Sequence, residues 1–447
     1  VNALLDKFNT RLINPKDHLL LAVSGGIDSM VMLHNLYEFS KSFDIKLTVV
    51  HLDHNKRSDS NKDMELVVKT CKKMDLPCYT EQLISKDYDN FHDFARKERY
   101  DFFVRTAYQV KANKIVLAHN SNDNTETILM RLVRGSSFEG YRGMLDEANY
   151  QGITIIRPML SVSRKEITKY QEENNISYNE DSSNFEDYYT RNRYRHHVLP
   201  FLENENPKYL EKFEQFSNYQ RKAYDLIEKI TDDFIKNNLL KNQNSYSIKT
   251  DEFDKQESII KIEIIKRITN LQTSNSVELT YQNIEDINNL ITNPKPHVEI
   301  RLDDNLFIFK SYDTITFTNE KPTYTDYEFI INDFSETKLP DGGLVIITKN
   351  PNKYYGNIYK LCYNNLDFIF PLVIRNRRSG DKVTTTSGTK KIKDLLIDKK
   401  IPLHARNTLP LIINNDQEIL WIPTVYKTQT YGEKNIYIIY QEGINNA

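Results

Sequence analysis

Three sets of residues in this chain are of types that can do chemistry, at spacings that place them at helix starts or on charged faces. The first is Ser24-Gly25-Gly26-Ile27-Asp28-Ser29, between the apolar run Leu19–Val23 and the helix-spaced Met30-Val31-Met32-Leu33. A short buried strand, a glycine turn and a helix N-terminus together make an anion cradle. Backbone N–H groups point outward, glycine lacks the Cβ that would block approach, and the helix dipole favours negative charge. The expected ligand is pyrophosphate or a nucleotide phosphate. No lysine stands where a Walker loop requires one, and the pattern is not Gly-x-Gly-x-x-Gly. An ordinary strand–turn–helix bend is the alternative.

The second set is Asp123 and Glu126, three apart at an expected helix start, so that both carboxylates leave one face. With Asp28 they could hold Mg²⁺ against phosphates or receive an amine as its ammonium. An N-cap aspartate followed by a first-turn glutamate is the plain alternative. His119 ends the strand just before them, either lining the site or bonded to backbone; His51 and His54 end another strand, and since no further ligands follow at metal spacing they read as loop residues near a nucleotide. Arg96 and Arg99 lie on a helix beside Lys97 and Glu98, either as phosphate contacts or as a solvated face. The third set is cationic. Glu180–Asn184 runs toward Arg191-Asn192-Arg193-Tyr194-Arg195, suited to a nucleotide or polyanion, or else a charged linker. Residues 371–408 carry ten Lys/Arg against three Asp, an electrostatic footprint for nucleic acid or a solvated basic face.

Elements must position these groups. Strands are expected at Leu47–Leu52, Cys78–Leu83 and Lys114–His119, with helices over about 61–74, 91–111 and 123–134. Such alternation predicts an α/β fold with a doubly wound parallel sheet, whose ligands sit beyond the strands' C-terminal ends. The Ser-Gly-Gly turn, His51–His54 and His119–Asp123 all fall at such ends. Beyond residue 204 helical spacing recurs around Tyr209–Asn238, 258–270 and 280–293, followed by a hairpin through Val298–Leu302 and Leu306–Phe309. Strands dominate after about 320.

Net charge of −2 over 447 residues gives no global pull toward nucleic acid, so such binding must be local. The three cysteines, Cys71, Cys78 and Cys362, are too few for a disulfide scaffold and form no Cys-x-x-Cys. No apolar run reaches the roughly 20 residues of a membrane span, and no signal-peptide pattern opens the chain, so a cytoplasmic protein without a membrane partner is expected.

The Ser-Gly-Gly-Ile-Asp-Ser stretch resembles the signature of the PP-loop ATP pyrophosphatases, the adenine nucleotide α hydrolase-like fold. The chain as a whole resembles the tRNA(Ile)-lysidine synthases, through His51–Arg57 with Ser60 and Asp63, Ala95–Tyr100, Leu117–Gly135, Glu180–Asn184 and Arg191–Pro200. At the C-terminus Arg375-Asn376-Arg377, Gly380-Asp381, Lys390–Lys393, Lys400-Ile401-Pro402 and Pro410-Leu411 carry it further. Departures are Asn122 and Asn120, where the family often has aspartate and histidine, and His92-Asp93 in place of Glu-Ala; the catalytic weight therefore falls on Asp123.

This resemblance implies a PP-loop catalytic domain over 1–203, a small mainly helical domain over 204–320 and a strand-rich α+β domain over 321–447, the last two binding tRNA. It implies ATP and Mg²⁺, free lysine, and an isoleucine tRNA with a CAU anticodon; a homodimer is left open. The wobble cytidine would be adenylated and then converted by lysine to lysidine, so that the tRNA reads AUA. Ser24, Gly25, Gly26, Ile27, Asp28, Ser29, His51 and His119 would bind ATP, and Asp28 and Asp123 the metal. Asp28, Asp123, Glu126, Arg99 and Arg195 would be catalytic. Asn184, Arg96 and Arg191 would contact substrate, and Arg375, Arg377, Arg378, Lys390, Lys391 and Lys393 the tRNA. Rivals are a tRNA thiolase, which usually needs Cys-x-x-Cys or a persulfide cysteine; an ammonia-dependent amidotransferase; and a non-catalytic tRNA-binding factor, against which the retained Asp28, Asp123 and Glu126 argue.

Overall fold

The computed structural model describes residues 7–53, 60–83, 91–180, 187–242, 244–275, 277–303, 305–321, 324–364, 369–385 and 388–443. His54 and Asn184 lie outside the described residues. The chain forms two compact units, Val1–Leu226 and Ile227–Ala447.

In the first unit β1 (His18–Ala22), α1 (Ile27–Ser40), β2 (Lys46–Asp53), α2 (Ser60–Lys73), β3 (Cys78–Gln82), α3 (Phe91–Val110), β4 (Lys114–Val116) and α4 (Ser121–Arg134) alternate as expected. A hairpin of β5 (Glu147–Tyr150) and β6 (Ile153–Ile156), then α5 (Arg164–Asn174), follow. The sheet order is β3-β2-β1-β4-β6-β5, parallel except for the antiparallel edge strand β5. Leu19, Leu20 and Leu21 are all fully buried, because helices cover both faces of a parallel sheet. Alternation along β1 sends Leu19, Leu21 and Val23 into the core shared with Met30, Val67 and Ile167. Leu20 goes into the opposite core with Phe103 and Ala107. The β5–β6 hairpin turns at Gln151 (φ 49°) and Gly152 (φ 82°), a primed turn whose glycine is its sequence signal.

The strand order reverses at β1. Strands β2 and β3 lie to one side and β4 and β6 to the other, so the loops leaving β1 and β4 splay apart and open a crevice. The Ser24–Ser29 stretch and the start of α4 bound it. Three further helical segments, α6 (Thr190–Arg193), a π-helical turn at Tyr194–Val198 and α7 (Leu199–Glu205), run end to end. The long α8 (Tyr209–Asn238) follows, and its first half packs within this unit. There the Ser217 hydroxyl donates to the Arg142 carbonyl, Arg221 pairs with Asp146 at 3.1 Å, and the Arg142 guanidinium lies 4.1 Å from the Tyr224 ring centre.

In the second unit the two expected helices are present as α10 (Ser258–Thr273) and α11 (Tyr281–Thr292), and a short α9 (Thr250–Asp254), not expected from the sequence, precedes them. A five-stranded sheet accompanies them: Leu240–Asn242, Ser245–Lys249, Thr314–Thr318, Leu306–Ser311 and His297–Asp303 in spatial order. Only its Leu306/His297 hairpin was legible, because the other strands are only three to five residues long. Among the described residues the last third holds two antiparallel sheets, of five and four strands, around one core that includes Ile374, Ile412, Trp421, Ile436 and Ile438, and a two-stranded antiparallel ribbon of Lys382–Thr385 and Gly388–Lys391.

Candidate active site

The cradle forms because Gly25 takes φ +93°, a left-handed conformation, and because a Cβ there would sit 3.1 Å from the Asp63 Cβ. Asn179 holds this approach from the other side: its N–H donates to the Gly25 carbonyl (3.0 Å) and its amide to Asp63 (2.8 Å). The Ser29 hydroxyl donates to the Gly26 carbonyl (2.9 Å) and accepts from the Ser24 N–H (3.1 Å), which folds the turn on itself. Gly26 is the N-cap of α1 and brings no capping side chain, so the first-turn N–H groups keep no side-chain acceptor.

Across the crevice α4 begins with a reciprocal cap. Asn120 accepts from the Asp123 N–H (3.0 Å), and Asp123 accepts from the Asn120 N–H (3.1 Å). The amide of Asn120 also donates to Asp28 Oδ1 at 3.1 Å, tying the two helix starts together. Asp28 Oδ2 is met by the Arg164 guanidinium. Asn122 is turned elsewhere: it accepts from the Arg164 N–H (3.0 Å) and donates to the Tyr209 hydroxyl (3.3 Å). Asp123 is therefore the acid that α4 presents to Asp28.

Glu126, one turn on, has no exposed side-chain surface. Arg195 Nε donates to its Oε1 at 2.9 Å, and Arg191 Nε lies 3.0 Å from Oε2. Arg195 also reaches Asp123 Oδ1 at 3.3 Å, and Arg191 donates to the Thr127 hydroxyl at 2.9 Å. Arg195 sits in the π-helical turn, a local widening that recurs at functional sites. Burial pushes the Asp28 carboxyl above its ordinary range against the pull of Arg164, and the Asp123 charge adds to the rise. Glu126 is raised likewise by burial, opposed by Arg195. Burial works against the Arg195 cation, but Glu126 and Asp123 outweigh it and hold its pKa up.

Both histidines line this edge. His51 Nδ1 donates to the Val23 carbonyl (2.8 Å), and its Nε2 is buried without a partner among the described residues. Burial lowers His119 to about 4, so its ring is neutral at pH 7, and its Nδ1 is likewise buried without a partner among the described residues. Arg96 is exposed over the Tyr100 ring at 5.4 Å, and burial lowers the pKa of Arg99. The structure thus brings together Ser24–Ser29, Asp123, Glu126, Arg191 and Arg195. Asn120 and Arg164 were missed as site residues. The capping patterns Asn120-x-x-Asp123 and Ser163-x-x-Glu166 were the available signal, since each fixes a helix start.

In the second unit Arg375, expected on an RNA-facing surface, is 8% exposed and grips Asp381 through both terminal nitrogens at 2.9 Å. It stands inside the fold because a fork-shaped bidentate pair closes the 375–381 turn. Arg377 donates to Asn407 (2.6 Å), Arg378 to Glu328 (2.6 Å), and Lys390 pairs with Asp398. Lys391 and Lys393 are exposed.

Comparisons with known proteins identify a family. A PP-loop domain model matches residues 2–202, and a TilS substrate C-terminal domain model matches 372–438. The tRNA(Ile)-lysidine synthase of Clostridioides difficile is 32% identical over 421 residues, 91% of this chain and 90% of that protein. The chain belongs to the tRNA(Ile)-lysidine synthase family. A bifunctional TilS/HprT protein of Listeria monocytogenes is also 32% identical, over 93% of this chain, and the chain spans 66% of that relative's length. A crystal structure of a TilS C-terminal domain is 30% identical, with TM-score 0.23, covering 26% of this chain and 98% of that one. Within this lysidine synthase family member no described helix is long and apolar enough to cross a membrane.

Proposed function

We propose that this chain ligates free L-lysine to C2 of the wobble cytidine in an isoleucine tRNA with a CAU anticodon, giving lysidine with AMP and pyrophosphate. The observation that carries this reading is the meeting of a phosphate cradle with Asp28, Asp123 and the Glu126–Arg195–Arg191 cluster at one sheet edge, in a member of this family. In the first step the cytidine O2 attacks the α-phosphorus of ATP, and the bond to the pyrophosphate oxygen breaks. The Ser24–Ser29 N–H and hydroxyl groups hold the phosphates, while His51 Nε2 and neutral His119 line the nucleotide. In the second step the lysine ε-nitrogen attacks C2, and the C2–O bond breaks to release AMP.

An amine attacks only as its free base. Glu126 is already committed to two arginines, whereas Asp123 Oδ1 has a single contact at 3.3 Å. Asp123 is thus the carboxylate with room for the ammonium and its departing proton. Arg195, held by Glu126, stabilises charge on the α-phosphate, and Arg99, Arg96, Arg191 and Asn184 contact the base and its phosphates. Asp28 and Asp123 are the hard oxygen donors at this edge, and a carboxylate oxygen that accepts one hydrogen bond, as each Asp28 oxygen does, keeps a second lone pair for Mg²⁺. Those two residues would hold it, and bound Mg²⁺ neutralises phosphate charge as a Lewis acid. The 204–320 and 321–447 regions grip the tRNA, with Lys391 and Lys393 on its backbone and Arg375 shaping their support. Incubation with ATP, Mg²⁺, labelled lysine and either this tRNA or a control tests the reading. Label stable to mild alkali in the isoleucine tRNA alone is expected; labelling of neither tRNA overturns it.

A further inference from the structure

The phosphate cradle has a chemical gap. Its N–H groups and hydroxyls can orient a pyrophosphate, yet residues 24–29 contain no cation to match the charge of the leaving group. Arg191 and Arg195 are anchored on the buried Glu126 of α4, on the other side of the crevice from the loop. Arg164 is differently placed. It opens α5 behind a reciprocal cap, in which Ser163 N–H donates to Glu166 at 2.9 Å. Its own N–H is fixed to Asn122 at 3.0 Å, so the backbone of α5 is registered against the start of α4. From there the guanidinium reaches Asp28, two residues beyond Gly26 of the cradle.

Arginine has five N–H donors in a planar fork. Among the described residues the Arg164 side chain makes one hydrogen bond, through Nη1 to Asp28. The side chain is 40% exposed, so its remaining donors are open to a ligand. Asp28 keeps its other oxygen on Asn120 at 3.1 Å and serves as a fixed post for the guanidinium. We propose that Arg164 is the side-chain cation of the phosphate site, donating to the β- and γ-phosphates of ATP and retaining the pyrophosphate as it departs. The assignment rests on the nucleotide reading of the cradle. A guanidinium fork matches two phosphate oxygens at once, and a cation beside the leaving group stabilises the charge that gathers there as the α–β bond breaks.

The test uses the full chain with Mg²⁺, titrated calorimetrically with pyrophosphate and, separately, with AMP. Arg164→Gln should weaken pyrophosphate at least roughly tenfold, as expected for lost charge-assisted bonds, and leave AMP within about twofold. Arg164→Lys, which keeps the charge but loses the fork, should fall between the two and controls for folding. Equal losses for both ligands would mean that Arg164 only positions Asp28, and the proposal fails. Unchanged pyrophosphate affinity in Arg164→Gln also overturns it. Wild-type protein that binds neither ligand would instead bring down the nucleotide site itself, and the assignment with it.

Discussion

Replacing Asp123 by Asn separates chemistry from folding at one atom. The side chain is only 15% exposed and has two structural contacts, the cap to the Asn120 N–H at 3.1 Å and a 3.3 Å approach from Arg195. Asparagine keeps an oxygen for the cap, so little of the roughly 1 kcal/mol of a capping interaction is lost. The approach to Arg195 is long and Arg195 is 31% exposed, so solvent screening holds that loss to about 1 kcal/mol or less. Together these predict a shift of about 2–4 °C in the transition that melts the first unit. The chemical loss is far larger. Removing a positioned base costs about 10²–10⁴ in rate, and the negative charge proposed to receive the amine and Mg²⁺ disappears as well. Single-turnover transfer of labelled lysine to tRNA, beside calorimetric melting and a tRNA-binding isotherm, would measure all three. The expected result is transfer slowed by at least about a hundredfold, with tRNA affinity nearly intact. A rate within about tenfold of wild type would refute Asp123 as the proton acceptor, and melting lowered by far more than 4 °C would make it a structural cap instead.

Other perturbations read other parts of the argument. Gly25→Ala forces a Cβ into a left-handed backbone position 3.1 Å from Asp63, and should cost more than about 1 kcal/mol and abolish ATP binding, both measurable by melting with and without nucleotide. His119 is held near 4, so the unfolded chain takes up its proton first as pH falls below about 6.5. The stability this neutral ring contributes is therefore present at pH 7 and lost toward pH 4, by up to about 3 kcal/mol; His119→Gln should flatten that acid slope, and superimposable melting profiles would reject it. Asp381 is different: burial raises its pKa, but the Arg375 guanidinium, the Arg378 N–H and the charges of both arginines together hold it below the ordinary carboxylate value. Its contribution is present above about pH 4 and lost as pH falls through the lowered value, so Arg375→Ala should destabilise the second unit at neutral pH. Charge reversal at Lys391 and Lys393 should leave melting unchanged, weaken tRNA binding and reduce the salt slope by roughly one per lost phosphate contact; an unchanged slope would remove them from the interface.

Local pattern determined a large share of this protein. The Leu19–Val23 run, the glycine turn and the helix-spaced residues after it specify strand, cradle and helix from neighbours alone, because burial period and glycine conformation act over a few residues. The same holds for α8, whose apolar spacing matches Tyr209–Asn238, and for the start of α4, whose acids lie three apart on one face. Partner choice among charges is different. Arg195 lies 69 residues from Glu126, and Arg164 lies 136 from Asp28. Which arginine meets which acid depends on the parallel sheet order and on a π-helical turn, neither of which has a local signature here. For the same reason Arg375 reads in sequence as one cation of a basic patch. Only the packed fold turns it inward onto Asp381, because a carboxylate six residues away is held at bidentate distance by the strands on either side.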